Sequence, residues 1–84
     1  MSYDLDVPRK VRRAMSRLPE SVHGRVSRAI DGLVEEPRPR GCVKMTGEEL
    51  WRIRVGDYRI IYDVDNSRRR VTVLKVAHRR ESYR

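Results

Sequence analysis

Residues 51–62 read WRIRVGDYRIIY, and this stretch decides the fold. Apolar and basic side chains alternate through its first half, which is the pattern of a strand with one apolar face. Gly56 and Asp57 then predict a tight turn, since glycine adopts the positive φ that such turns need. Aromatic and β-branched residues predominate in 58–62 and predict a second strand. The stretch therefore predicts a β-hairpin.

The hairpin carries three arginines, Arg52, Arg54 and Arg59, beside an apolar face that is expected to pack. Trp51, Ile53 and Val55 point to one side of the first strand, so Arg52 and Arg54 point to the other. Arg79 joins this cationic group if the last strand of the chain pairs beside the hairpin.

The remaining elements follow from periodicity. Apolar residues recur at i, i+3, i+4 and i+7 in two segments after Pro8, and prolines separate and end the segments, which predicts two amphipathic helices. Short alternating or apolar runs predict the other strands. The last of these is apolar on both faces (Val71 and Val73 against Leu74 and Val76), which favours a central position in the sheet. In chain order, we expect a strand at 3–7, helices at 8–18 and 19–37, a strand at 42–45, the hairpin, and a strand at 71–77.

A length of 84 residues predicts a single domain, spanning residues 1–84. The expected fold class is α+β, with the N-terminal strand and a helical hairpin packed on a small, mainly antiparallel β-sheet.

The charge of the chain indicates a polyanionic partner. The formal net charge is +8, and 17 of the 20 basic residues are arginines. The planar guanidinium suits phosphate oxygens and stacks on bases, so this bias favours nucleic acid, although a merely solvated basic surface is the alternative.

The cysteine content and the N-terminal sequence fit a reducing compartment. Cys42 is the only cysteine, so neither an internal disulfide nor a thiolate zinc cluster is expected. The N-terminus carries acids where a signal peptide has an apolar run, and no stretch has membrane-spanning length. We therefore expect a cytoplasmic protein with no membrane partner. No HExxH motif or paired histidines are present, and no cofactor is expected.

An arginine cluster is suited to RNA cleavage without a metal. The 2′-hydroxyl attacks the adjacent phosphorus, and fixed cations stabilise the added negative charge. His78 and Tyr83 are able to exchange a proton or stack on a base. The arginines alone leave other functions open, because cationic sheet faces also occur in RNA-binding modules without catalysis.

The chain resembles the RelE/ParE superfamily of toxins from type II toxin–antitoxin pairs, and its RelE branch in particular. The resemblance covers residues 3–83 and is most specific in WRIRVGDYRIIY and in VLKVAHRRESY at 73–83. It implies a metal-free, ribosome-dependent endoribonuclease (an mRNA interferase) that cleaves messenger RNA in the ribosomal A site and inhibits translation. It also implies a cognate acidic antitoxin that wraps the toxin with an amphipathic segment.

The resemblance implies roles for individual residues. Arg52 and Arg54 match the basic pair before the turn, where the family pattern has lysines, and arginine cannot act as a general base. Arg59 and Arg79 match two phosphate-contacting arginines. Tyr83 matches the base-stacking tyrosine, and His78 a position assigned to proton transfer in some relatives. Each of these residues has a structural alternative: an exposed strand face for Arg52 and Arg54, a structural ion pair for Arg59 and Arg79, and a cap on the core for Tyr83.

Two other functions remain open. One is a ParE-like toxin that inhibits DNA gyrase without nuclease action, although such chains generally lack the arginine and tyrosine set. The other is a non-catalytic basic RNA-binding module.

Overall fold

A computed structural model of the chain describes residues 2–45, 47 and 50–80. Two helices and five strands form one α+β unit, as the sequence predicts. The elements are β1 (Asp4–Asp6), α1 (Arg9–Ser16), α2 (Glu20–Gly32), β2 (Val43–Lys44), β3 (Leu50–Val55), β4 (Tyr58–Asp65) and β5 (Arg70–His78).

The strands form one sheet in the order β1-β5-β4-β3-β2. The neighbours from β5 to β2 pair antiparallel, and β1 pairs parallel to β5. The hairpin of β3 and β4 is confirmed, and its turn has Gly56 at φ +60°. The last strand lies inside the sheet, as predicted, because β1 and β4 flank it.

Both helices cover one face of the sheet. The buried residues of the helices pack on apolar side chains of the strands. These strand residues lie directly opposite one another on neighbouring strands, so they share one face of the sheet. Tyr62 lies at the centre of this core and donates a 2.7 Å hydrogen bond from its hydroxyl to the carbonyl oxygen of Pro37. The fully buried members are Val26, Leu33, Ile60, Tyr62, Val71 and Val73.

A β-bulge in β5 changes the predicted faces of that strand. Ile61 lies opposite Lys75 and Tyr62 opposite Val73, which leaves Leu74 as an extra residue. Val76 consequently returns to the covered face with Val73, and Leu74 is 43% exposed. The prediction that Leu74 and Val76 share a second buried face was wrong.

The second helix ends earlier than its apolar stripe predicts. The α-helix ends at Gly32, and Leu33, Val34 and Glu35 donate backbone hydrogen bonds to residues three positions back. This tighter winding accompanies a 2.8 Å bond from the Tyr3 N–H to the Val34 carbonyl. The N-terminal strand is thus fastened to the end of the helical hairpin.

Candidate active site

A cationic pocket lies on the face of the sheet that the helices leave open, at the end formed by the β3–β4 turn and the end of β5. Arg54 stands directly opposite Arg59, which stands opposite Ala77, so all three share this face. Arg79 follows Ala77 by two residues and reaches the same pocket. The pocket has a volume of about 150 Å³ and is lined by Arg54, Gly56, Asp57, Tyr58, Arg59 and Arg79.

The backbone itself joins the two arms of the cationic pocket. The Arg79 N–H donates a 2.7 Å hydrogen bond to the carbonyl of Asp57. This bond extends the pairing of β4 and β5 past His78 to the turn. The pairing of these two strands therefore fixes how far apart the backbones of Arg59 and Arg79 lie.

The three arginines differ in burial. Arg59 is only 5% exposed and its Nε is fully buried, whereas Arg54 and Arg79 are exposed. The cationic pocket thus combines one fixed, largely desolvated cation with two that face water. This combination suits a phosphate group, which accepts charge-assisted hydrogen bonds on several oxygens.

A fourth arginine approaches the pocket from the other layer of the molecule. Nη1 of Arg25, on α2, stands 3.5 Å from the point that a Cβ on Gly56 would occupy. A side chain at position 56 would also be strained, because the backbone there has a positive φ. Glycine therefore permits both the turn and the approach of Arg25.

Arg52 lies on the open face but outside the cationic pocket. It stands in the next cross-strand row, opposite Ile61, which stands opposite Lys75. A separate hollow of about 170 Å³ is lined by Arg52 with Val43, Lys44 and Met45. Arg52 and Lys75 extend the positive surface away from the pocket along the sheet.

His78 is not brought to the arginines. It lies opposite Tyr58 on the face that carries the helices, and the two rings meet edge to face with centroids 5.3 Å apart. The Arg80 N–H donates to its Nδ1 at 3.3 Å. Tyr83 lies outside the described residues, so its role stays a prediction.

Sequence reasoning missed Asp57 and Tyr58 as wall residues of the cationic pocket. The glycine–aspartate pair identified the turn, but a turn signal does not show what the turn faces. Only the pairing of β4 with β5 places this turn beside Arg79.

Four aspartates lie at the far end of the open face. Asp63 and Asp65 of β4 lie on the same face as Arg59, because alternate residues of a strand share a side. Asp4 and Asp6 join them, since each is directly opposite the same β5 residue as one of them. Hydrogen bonds from the Arg68 N–H and the Ser67 hydroxyl lower the pKa of Asp65 and keep it ionised. Arg70 lies between Asp4 and Asp65, and Arg68 forms an ion pair with Asp65, so this end carries both signs of charge.

Within residues 2–45, 47 and 50–80, no three His, Cys, Asp or Glu side chains are grouped to hold a metal ion. None of the helices described is long and apolar enough to span a bilayer.

Comparisons with known proteins agree with this fold. Residues 6–83 match the family described as the ParE toxin of type II toxin–antitoxin systems, parDE. The chain is 31% identical over 84 residues to Toxin RelE of Mycobacterium tuberculosis, covering 98% of this chain and 87% of that protein.

Solved structures extend the comparison. The archaeal RelE–RelB complex from Pyrococcus horikoshii OT3 contains a chain that superposes with a TM-score of 0.83 at 33% identity, covering 94% of this chain and 97% of that one. The toxin–antitoxin complex RelBE2 of Mycobacterium tuberculosis gives a TM-score of 0.80 at 26% identity, covering 93% and 99% of the two chains.

The chain therefore belongs to the RelE/ParE superfamily, the toxins of type II toxin–antitoxin systems. Within that superfamily it is a RelE-like toxin, as the curated relative and the archaeal structure indicate.

Proposed function

We propose that this RelE-like toxin is an endoribonuclease that cleaves messenger RNA in the A site of the ribosome and so inhibits translation. The observation that carries the proposal is the convergence of Arg54, Arg59 and Arg79 in one phosphate-sized pocket on the open face. The likeness to the RelE branch, rather than the ParE family match, supports this reaction class, and the net charge of +8 supports an RNA substrate.

The proposed reaction needs no metal ion. The 2′-oxygen of the scissile nucleotide forms a bond to the adjacent phosphorus, and the bond from phosphorus to the 5′-oxygen of the next nucleotide breaks. The products are a 2′,3′-cyclic phosphate and a 5′-hydroxyl. The buried guanidinium of Arg59 and the exposed ones of Arg54 and Arg79 stabilise the negative charge on the non-bridging oxygens.

A proton acceptor for the 2′-hydroxyl is also required, and arginine cannot supply it. Asp57 is the one carboxylate among the described wall residues of the cationic pocket. We assign proton acceptance to Asp57, with water protonating the leaving 5′-oxygen. Arg52 is assigned to the neighbouring phosphate along the sheet, and Tyr83 keeps its predicted role of stacking on a base.

The test is cleavage of a message on purified ribosomes, with the new RNA ends mapped to nucleotide resolution. We expect cuts within the A-site codon, none in the same message without ribosomes, and none where the scissile nucleotide carries a 2′-deoxyribose. A cut at the deoxy position would contradict attack by the 2′-hydroxyl. Inhibition of gyrase supercoiling without any new RNA ends would favour the ParE-like alternative.

We further infer that a RelB-type acidic antitoxin neutralises this chain, as the RelE–RelB complexes suggest. An apolar groove of about 190 Å³ lies between α1 and β5, with a lysine on each element and Leu74 exposed beside it. An acidic amphipathic segment matches both features, because its apolar side chains fill the groove while its carboxylates face the lysines. The groove is lined by Lys10, Val11, Ala14, Leu74, Lys75, Val76 and Ala77.

A further inference from the structure

A second hollow lies around the corner of the sheet from the cationic pocket, between the end of α1 and the ends of β4 and β5. We call it the end pocket; its volume is about 280 Å³. Two aromatic rings, Tyr58 and His78, line it together with apolar side chains and the exposed Arg17. The lining residues are Ala14, Arg17, Leu18, Tyr58, Val76, Ala77 and His78.

The end pocket and the cationic pocket adjoin. Tyr58 lines both of them. His78 and Arg79 are consecutive, and they project to opposite faces of the sheet, one into each pocket. The two pockets therefore share one wall at this end of the sheet.

The chemistry of the end pocket fits a nucleobase. The Tyr58 and His78 rings meet edge to face at 84°, and both residues line the hollow. Bases stack on aromatic side chains with little dependence on sequence, and a guanidinium at the rim contacts the attached sugar-phosphate backbone. The described lining contains no carboxylate that would repel that backbone.

We propose that the end pocket is a nucleobase subsite, which receives the base of the nucleotide adjoining the phosphate held by Arg54, Arg59 and Arg79. This inference rests on the proposed endoribonuclease function. It assigns His78 to base binding, whereas the resemblance to relatives implies proton transfer. His78 is then a specificity residue, and its ring is needed but its titratable nitrogen is not.

The experiment compares His78→Ala with His78→Phe, which keeps an aromatic ring without a titratable group. Ribosomes carry messages in which the A-site codon and its flanking nucleotides are randomised, and cleavage yields KM, kcat and the sequence profile. His78→Ala is expected to raise KM roughly 5- to 150-fold, the usual effect of losing one stacked base, and to flatten the preference at one nucleotide. His78→Phe should keep KM, kcat and profile close to wild type.

Matched controls separate local from general effects. His23 is an exposed histidine on α2, and His23→Ala should change nothing. Arg17→Ala should raise KM, whereas Arg13→Ala, one turn earlier on α1 and outside the end pocket, should not. Thermal unfolding of each variant shows that the fold is retained.

Three outcomes would overturn the subsite. An unchanged KM and profile in His78→Ala would show that no base binds there. An equal loss of kcat in His78→Ala and His78→Phe would restore proton transfer to His78. Weaker antitoxin binding by His78→Ala with normal cleavage would assign the end pocket to the antitoxin. Absence of cleavage by the wild type is distinguishable from all three, because it removes the proposed function first and the subsite with it.

Discussion

The two faces of the sheet carry different kinds of side chain from the same strands. On the covered face, cross-strand rows such as Trp51–Tyr62–Val73 carry apolar and aromatic groups into the core. On the open face, the alternate row Arg54–Arg59–Ala77 carries charge. Most successive residues of one strand thus lie alternately in the core and on the open face. Tyr58 is an exception, because it belongs to the covered face and also lines the cationic pocket. Away from this end of the sheet, we expect that one face can be altered with little effect on the other.

The contrast is sharpest between Arg59 and Tyr62, which lie three residues apart on β4. Both are buried and both carry a polar group. The Tyr62 hydroxyl is directed at a backbone carbonyl, and its role is structural. The Arg59 guanidinium lies in the wall of the cationic pocket. Burial alone therefore does not distinguish a structural polar group from one that lines a candidate site.

The largest effect on the open face is expected from Asp57→Asn. Loss of the proton acceptor should lower kcat roughly 100- to 10,000-fold, the usual range for general-base catalysis, with stability unchanged. Asp63→Asn, at the far end of the same face, is the matched control and should cleave like the wild type. A kcat within about threefold of wild type for Asp57→Asn, far below the usual effect, would return the role to solvent or Tyr83.

Arg79→Ala should lower cleavage about 100- to 1,000-fold, the effect of removing one preorganised donor to an oxyanion. Because Arg79 is exposed, the substitution should change the protein's free energy of unfolding by less than about 0.5 kcal/mol. Arg70→Ala, an exposed arginine of β5 at the other end, is the control. An unfolded Arg79→Ala protein would show that this arginine is structural.

On the covered face, Tyr62→Phe should destabilise the protein by about 1–3 kcal/mol, because the buried Pro37 carbonyl loses its donor. Urea unfolding measures this change, and cleavage at saturating substrate should stay normal. The Tyr3 hydroxyl donates to Asn66 at the surface, so Tyr3→Phe should have a much smaller effect. A large loss of cleavage in folded Tyr62→Phe protein would show that the two faces are coupled.

The raised pKa of Tyr62 also predicts a loss of stability at alkaline pH. Burial, more than the neighbouring Cys42, raises the pKa of Tyr62 above its ordinary value of 10.0. Below pH 10 the group is protonated in both the folded and the unfolded state, so its contribution is constant. As the pH rises above 10 the unfolded chain ionises first, and stability falls by up to about 1.4 kcal/mol per pH unit. The Tyr62→Phe protein should lack this part of the slope.

The smallest expected effect concerns the antitoxin groove beside the covered face. Leu74→Glu should weaken antitoxin binding roughly tenfold, through the desolvation of a charge against an apolar surface. Cleavage should be unchanged, since Leu74 lies in neither the cationic pocket nor the end pocket. Val43→Glu changes the second large exposed apolar residue of the part of the chain that the structure describes, and it is the control. Equal binding by both variants, measured by titration calorimetry, would place the antitoxin elsewhere.

Local pattern was sufficient to predict much of the fold. Strand period 2 and helix period 3.6 are properties of neighbouring residues, so the hairpin and both helices follow from the sequence. The grouping of Arg59 with Arg79 required one further assumption, the pairing of β4 with β5. This pairing is present.

Other features depend on contacts distant in sequence. The early end of α2 accompanies the bond from the Tyr3 N–H to Val34, 31 positions away. The placement of Asp57 in the cationic pocket depends on Arg79, and the face of Val76 depends on a bulge that no local pattern indicates. Periodicity identifies elements, whereas it does not identify which residues those elements bring together.

The extra residue at Leu74 has a consequence for how this toxin tolerates change. Leu74 is the residue of β5 that has no partner on β4, so its deletion would close the bulge and leave Lys75 opposite Ile61 and Ala77 opposite Arg59. His78 and Arg79 would then keep their present sides of the sheet. The loss of this one codon should therefore leave the cationic pocket assembled, whereas a one-residue shift in the pairing of β4 with β5 would turn every later residue of the strand to the opposite face.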